Sequence, residues 1–298
     1  MLSGVLAGLA AGALWGLVFV SPRMVNGYTS VDLTAGRFVA YGAVSALLML
    51  WAGRSRRLPT AEQALGAAGL SLLGFTGYYL LLVLAIRDAG TEVPTLIIGT
   101  IPIWVMLLGK PQHLRWGALV PGLLLTMAGL ALMMSAPHGA GGAAQAGAQY
   151  WRGIALAVGS LACWTAFALL NAAWLKRHPE VNATEWANWL GIATGLGALL
   201  LWAVAGSPAP VLAGQEDLPL FVVLALATGM GSAWLATILW NVASRRLSAS
   251  LCGQLIVSET LFALVYSFAW DRRWPDATQL AACLLFTLGI LASIRAHR

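Results

Sequence analysis

Ten runs of mainly apolar residues follow one another along the chain. They lie near residues 2–20, 31–52, 64–86, 92–109, 116–135, 152–174, 184–205, 218–240, 248–269 and 277–295. Each is close to the ~20 residues that a helix needs to cross a bilayer. The runs are continuous, without the apolar/polar alternation of strands or of a membrane β-barrel. The connections are short. The longest, GGAAQAG with its flanks at residues 136–150, is small, uncharged and flexible in composition. The pattern predicts an all-α polytopic membrane protein of ten transmembrane helices. Its organisation is a first five-helix unit over 1–136, an external linker over 137–151 and a second unit over 152–298.

The two units resemble each other weakly but in order. A shift of 149 positions brings Gly4 onto Gly153 and Trp15 onto Trp164. A shift of 158 brings LAIRDAG (84–90) onto VASRRLS (242–248), with Ala85 on Ala243, Arg87 on Arg245 and Pro102 on Thr260. Because each unit has an odd number of spans, the second copy is expected to have inverted topology. Inverted repeats are an architecture of secondary transporters, with the substrate site near mid-membrane at the repeat interface.

Composition agrees. Hydrophobic residues make up 59% and charged residues 9%, against about 25% charged in an ordinary soluble domain. So few charges exclude a cytosolic enzyme, a nucleic-acid binder and a disordered regulator. Cys163, Cys252 and Cys283 lie inside apolar runs at spacings that fit no metal site, so buried thiols are expected. The N-terminal MLSGVLAGLAAGALWGLVFV lacks a basic n-region and reads as a retained first span.

The net charge of +6 matters through its placement. One set of loops holds Arg54, Arg56, Arg57, Lys110, Arg115, Lys176, Arg177, Arg245, Arg246, Arg295 and Arg298; the opposite set holds Arg23, Arg87, Arg152, Arg272 and Arg273. The richer set is expected to be cytoplasmic, which puts both termini inside. Trp51, Trp116, Trp151, Trp174, Trp202, Trp240, Trp270 and Trp274 fall near run ends, as an interfacial aromatic belt does.

Several segments carry a family likeness: ALWGLVFV, AGRFVA, YYLLLVLAIRDAGTEVPTLIIGTIPIW, ACWTAFALLNAAWLKR, LWNVASRRLSAS and LIVSETLFAL. In this series, which covers nearly the whole chain, the sequence resembles the drug/metabolite transporter superfamily in its EamA-type branch of ten-span exporters. VPGLLL in the fifth run also looks like an aromatic amino acid exporter of that superfamily. The resemblance implies a multi-pass protein of a bacterial inner membrane. In SET (258–260) Glu259 is kept, but Thr260 stands where family members often have proline.

Charges inside spans are costly and usually functional. Glu259 lies near the middle of the ninth run. It is read as a central polar or proton-coupling group, or as a packing carboxyl. Arg37, inside the second run, is read as a structural anchor with substrate contact as the alternative; the family's Arg-Phe pair matches Arg37 and Phe38. Glu92, beside Thr91, suits a helix N-terminus or a gate. Pro94, Gly99 and Pro102 break the fourth run, and Gly253 softens the ninth, so Pro94, Pro102 and Gly253 are hinge candidates. Gly4, Gly8, Gly12 and Gly16 form a smooth stripe for close helix packing or dimerisation. Candidates for lining a substrate cavity are Trp15, Tyr78, Tyr79, Thr95, Gly99, Trp164, Asn171, Trp234, Asn241 and Gln254.

These readings predict a secondary transporter working by alternating access. Its substrates are expected to be amino acids or similar metabolites, with drug-like organic cations as the alternative. The partners are the substrate, the bilayer and protons, with no nucleic acid; the protein is a monomer or homodimer. His113, His138, His178 and His297 lie in loops or the tail, and no hydrolase motif occurs, which argues against an intramembrane enzyme. The runs are too apolar for a wide channel. No P-loop, cofactor motif or metal-ligand spacing is present.

Overall fold

The computed structural model describes residues 1–21, 24–52, 58–89, 92–112, 114–135, 147–272 and 274–297. Regular structure among them is entirely helical. Helices α1 (Leu2–Gly16), α2 (Ser30–Trp51), α3 (Ala61–Ala89), α4 (Glu92–Gly99), α5 (Ile101–Leu108) and α6 (Trp116–Ser135) form the first half. The second half comprises α7 (Ala148–Arg177), α8 (Ala183–Ala205), α9 (Ala209–Ala213), α10 (Leu218–Arg246), α11 (Ala249–Asp271) and α12 (Ala277–Ala296).

By length and composition, α2, α3, α7, α8, α10, α11 and α12 can each cross a bilayer. Three shorter apolar helices run over Leu2–Gly16, Ile97–Leu108 and Trp116–Leu132. Large apolar side chains point outward from this array, among them Leu47, Leu124, Leu196, Leu200 and Leu284, each more than half exposed. Such a coat is incompatible with water and suits lipid.

The helices start where the sequence supplies caps. Thr29 and Asp32 form a capping box on α2, as do Asn182 with Glu185 on α8 and Asp276 with Gln279 on α12. Each box satisfies two backbone N–H groups that would otherwise be stranded at a helix end. Ser248 caps α11 through the Leu251 amide. Pro94 lies in the first turn of α4, where a missing N–H costs nothing. The fourth run is therefore broken once, at Thr100, with Pro102 in the first turn of α5. The ninth run, with no proline, is an uninterrupted helix of 23 residues.

Small residues set the packing. In water-free surroundings helices associate through close backbone approach. At Gly42 and Gly195, α2 and α8 come so near that a Cβ on Gly42 would lie 2.7 Å from the Gly195 Cα. Helices α6 and α12 pack face to face with Gly122 against Gly289 and Ser293. The stripe of α1 packs on the second half: Gly4 meets Arg246 and Leu247, Gly8 meets Leu255, Gly12 meets Ser258 and Glu259, and Gly16 meets Phe262 and Ala263. In turn α7 packs on the first half, with Gly153 against Asp88 and Ala89.

Candidate functional site: a polar centre over an aromatic floor

Two helices change pitch near the middle of the array. Leu72–Thr76 of α3 and Gly229–Leu235 of α10 are π-helical. A π turn inserts one extra residue and re-aims the side chains that follow, and such segments recur at functional sites. The first lies just before Tyr78 and Tyr79. The second contains Trp234 and Ser232, whose hydroxyl donates to the Leu14 carbonyl of α1 at 2.6 Å.

Around this level four polar side chains converge from three helices. Arg37 (α2), Tyr78 and Tyr79 (α3) and Glu259 (α11) lie within range of each other's charge. All four are half-buried. Gly229 packs against the Arg37 carbonyl, where a Cβ would come within 2.8 Å. The guanidinium carbon of Arg37 lies 4.8 Å from the centre of the Phe38 ring, and the buried Nε has no hydrogen-bond partner. The Glu259 backbone is backed by Gly12 of α1. The Tyr79 hydroxyl donates to the Ser30 carbonyl at 2.7 Å, and the Tyr78 carbonyl accepts from Ser160 of α7 at 2.9 Å. Arg37, expected mainly as an anchor, thus faces the interior beside Glu259.

The floor beneath is aromatic. Trp15 lies 5.3 Å, ring centre to ring centre, from Trp240, and Trp164 lies 6.2 Å from the same ring. The row continues from Trp164 to Phe167, Phe75, Phe38 and Tyr79 at centroid separations of 6.0, 5.4, 5.7 and 6.4 Å. Trp240 corrects the sequence reading: it is no interfacial residue but is 1% exposed. The eighth run continues as helix to Arg246, so residue 240 lies more than a turn and a half from its end. Trp174 also leaves the belt, stacking on buried Trp186 at 3.5 Å. Trp51, Trp116, Trp151, Trp270 and Trp274 are exposed.

Burial differs on the two sides of this plane. Every residue of α11 from Leu251 to Ser258 is buried, and partial exposure starts at Glu259. The buried side is tied by the Ser250 amide donating to the Gly109 carbonyl at 3.1 Å, and by Arg245 donating to the carbonyls of Val181 and Pro179. On the other side, Arg152 makes a two-pronged contact with Asp88 at 2.7 and 3.0 Å. There too, Asp32 accepts from the Ser207 amide and hydroxyl, both at 2.8 Å. Continuous burial of α11 thus lies on the Gly109–Leu247 side of Glu259.

The remaining candidates lie apart from this centre. Asn171 and Asn241 are fully buried: Asn171 donates to Asn241 at 3.1 Å and accepts from the Trp186 indole at 2.7 Å, joining α7, α8 and α10. Trp234 donates to Asn188 at 2.8 Å. Gln254, fully buried, donates to Thr126 at 2.8 Å between α11 and α6. Gly253 packs against Val105 and Met106, and Gly99 ends α4 with open space beside it. The side chains of Glu92 and Thr95 lie outside the described residues, as do Arg23, Arg54, Arg56, Arg57, Thr91, His113, His138, Arg273, Arg298 and the linker over 136–146. A separate concavity of about 450 Å³ lies on the flank between α1, α10 and α11, lined by Leu17, Met24, Leu224, Gly231, Tyr266 and Trp270.

A helical array with an apolar outer surface and ionisable groups inside has the architecture of a membrane carrier. Residues 2–135 match the EamA-like transporter family. The chain is 34% identical over 309 residues to Inner membrane protein YtfF of Escherichia coli (strain K12), covering 99% of this chain and 96% of that protein. A solved crystal structure superposes with a TM-score of 0.76 over 98% of each chain at 20% identity, which shows a shared fold. The chain belongs to the EamA-like family of the drug/metabolite transporter superfamily. It is an integral, multi-pass membrane protein of a family that transports small molecules.

Proposed function

We propose that this protein is a secondary transporter that exports amino acids or similar small metabolites across a bacterial inner membrane by alternating access. The carrying observation is the convergence of Arg37, Tyr78, Tyr79 and Glu259 over the Trp15–Trp240–Trp164 floor, where the two halves meet. An apolar, aromatic lining with a few fixed polar groups is what small-molecule sites have in common.

Ten spans in two inverted halves, with both termini cytoplasmic, underlie this reading. Its support is reciprocal packing. Gly4 of α1 meets residues 246 and 247 at the end of α10, while Gly153 of α7 meets residues 88 and 89 of α3. The offset between those two neighbour pairs is 158 (246 − 88), the shift that aligns LAIRDAG with VASRRLS. The π segments begin at residues 72 and 229, an offset of 157. In this orientation the continuously buried side of α11 is cytoplasmic, and bending at Thr100 and at the π turns would open it.

Energy comes from a proton gradient acting through Glu259, from exchange, or from the substrate gradient alone. Efflux of radiolabelled amino acids from liposomes, aromatic ones first, tests the reading with and without a pH gradient. Saturable efflux is expected. Acceleration by the gradient in wild type but not in Glu259→Gln assigns coupling to Glu259; equal behaviour makes the protein a facilitator. No efflux of any amino acid overturns the amino-acid assignment.

A further inference from the structure

We infer that the centre recognises the two backbone charges of a free α-amino acid together, the carboxylate at Arg37 and the ammonium at Glu259. The inference rests on the transport reading above and specifies its substrate class.

Two ionisable side chains inside the array lack a hydrogen-bond partner among the described residues. Arg37 and Glu259 sit inside the helix array and act on each other electrostatically. They do not form a salt bridge, so their nearest nitrogen and oxygen are more than 4.0 Å apart. Among the described residues neither side chain makes a hydrogen bond, and the Arg37 Nε is buried without a partner. Both residues are only partly exposed, and charges withdrawn from bulk water are usually neutralised by direct pairing. Here the two groups stand unpaired within range of each other's charge. Gly229 packs against the α2 backbone at Arg37 and Gly12 against the α11 backbone at Glu259, so the two backbones that carry these groups are set by close helix contacts.

The gap selects the ligand. A simple cation gains Glu259 and is repelled by Arg37; a simple anion meets the reverse. A zwitterion satisfies both. A guanidinium is suited to a carboxylate through its paired donors, and a carboxylate accepts from an ammonium. Tyr78, Tyr79 and the aromatic floor are left to contact the ligand's side chain, which they do without a charge preference. The consequence is selectivity for the unblocked backbone and tolerance at the side chain.

The test uses the reconstituted full chain and labelled L-phenylalanine and L-leucine as probes. Exchange of each is measured against excess unlabelled free amino acid, its N-acetyl form, which lacks the cation, and its methyl ester, which lacks the anion. The free forms are expected to compete at least about tenfold better than either blocked form, the loss that a missing charged hydrogen bond produces. In Arg37→Met the methyl ester is expected to compete as well as the free amino acid, whereas Arg37→Lys restores part of the preference. The wild-type panel stands even if a variant fails to fold. Blocked and free forms competing equally would overturn the inference and leave the transport reading intact. Absence of exchange with any probe would overturn both.

Discussion

Trp15 and Trp164, one from each half of the chain, close on the same ring, Trp240, at centroid distances of 5.3 and 6.2 Å. The two are brought into register by the 149-residue shift that aligns Gly4 with Gly153. The halves therefore meet over an aromatic plate that belongs to one of them. Trp240 is buried, with its indole nitrogen unpartnered. Removing it would take the support from both rings. Trp240→Ala is expected to destabilise the protein by about 3–5 kcal/mol, the usual cost of truncating a large core aromatic. Thermal unfolding in detergent measures this, and a melting temperature equal to wild type would contradict the packing described.

Glycine positions separate close packing from open space. A Cβ at Gly42 would press on the Gly195 Cα at 2.7 Å, whereas nothing lies within 4 Å of one at Gly69. Gly42→Ala is expected to cost about 1–3 kcal/mol through overpacking. Gly69→Ala is expected to be neutral or to stabilise by up to about 1 kcal/mol, because alanine favours the helix. Melting curves that move in the same direction would contradict this.

The Asn171–Asn241 pair is a buried polar joint between α7 and α10. Asn171→Ala strands both the Trp186 indole N–H and the Asn241 Oδ1. Each lost partner is expected to cost about 1–3 kcal/mol. The cost of Asn171→Ala with Asn241→Ala should fall below the sum of the single variants, since they share a bond. Strict additivity in unfolding measurements would count against the network.

The proposed topology places Trp51, at the end of α2, and Trp274, between α11 and α12, on opposite faces. They are 87% and 96% exposed. In a background without Cys163, Cys252 and Cys283, a membrane-impermeant maleimide applied to intact cells should label Trp274→Cys and spare Trp51→Cys. Labelling of both or of neither, or the reverse pattern, would contradict the ten-span orientation.

Much of the helical order was legible in the sequence because it is dictated by apolar runs of bilayer length and by caps such as Thr29, Asn182 and Ser248. The site was less so. Hydropathy finds where a run loses its apolar character and not where the helix ends, so Trp240 looked interfacial although its helix continues to Arg246. Arg37 was legible as an intramembrane charge, but its neighbours Tyr78, Tyr79 and Glu259 come from distant positions, and only tertiary packing unites them. Nor does a linear pattern announce π turns: Leu72–Thr76 and Gly229–Leu235 are apolar stretches like any other. Asn171, Asn241 and Gln254 are polar groups in apolar runs, and a cavity lining and a buried joint leave the same mark there. Only the structure shows that these three are hydrogen-bonded inside the array.

The central claim is that the Arg37–Glu259 centre is where substrate is held during transport. The most direct measurement is the rate of labelled phenylalanine efflux from liposomes bearing wild type or Arg37→Met, at matched amounts of folded protein. The account predicts saturable efflux in wild type and a loss of at least about tenfold in the variant, that of one charged contact. Wild-type efflux undiminished by Arg37→Met would contradict it.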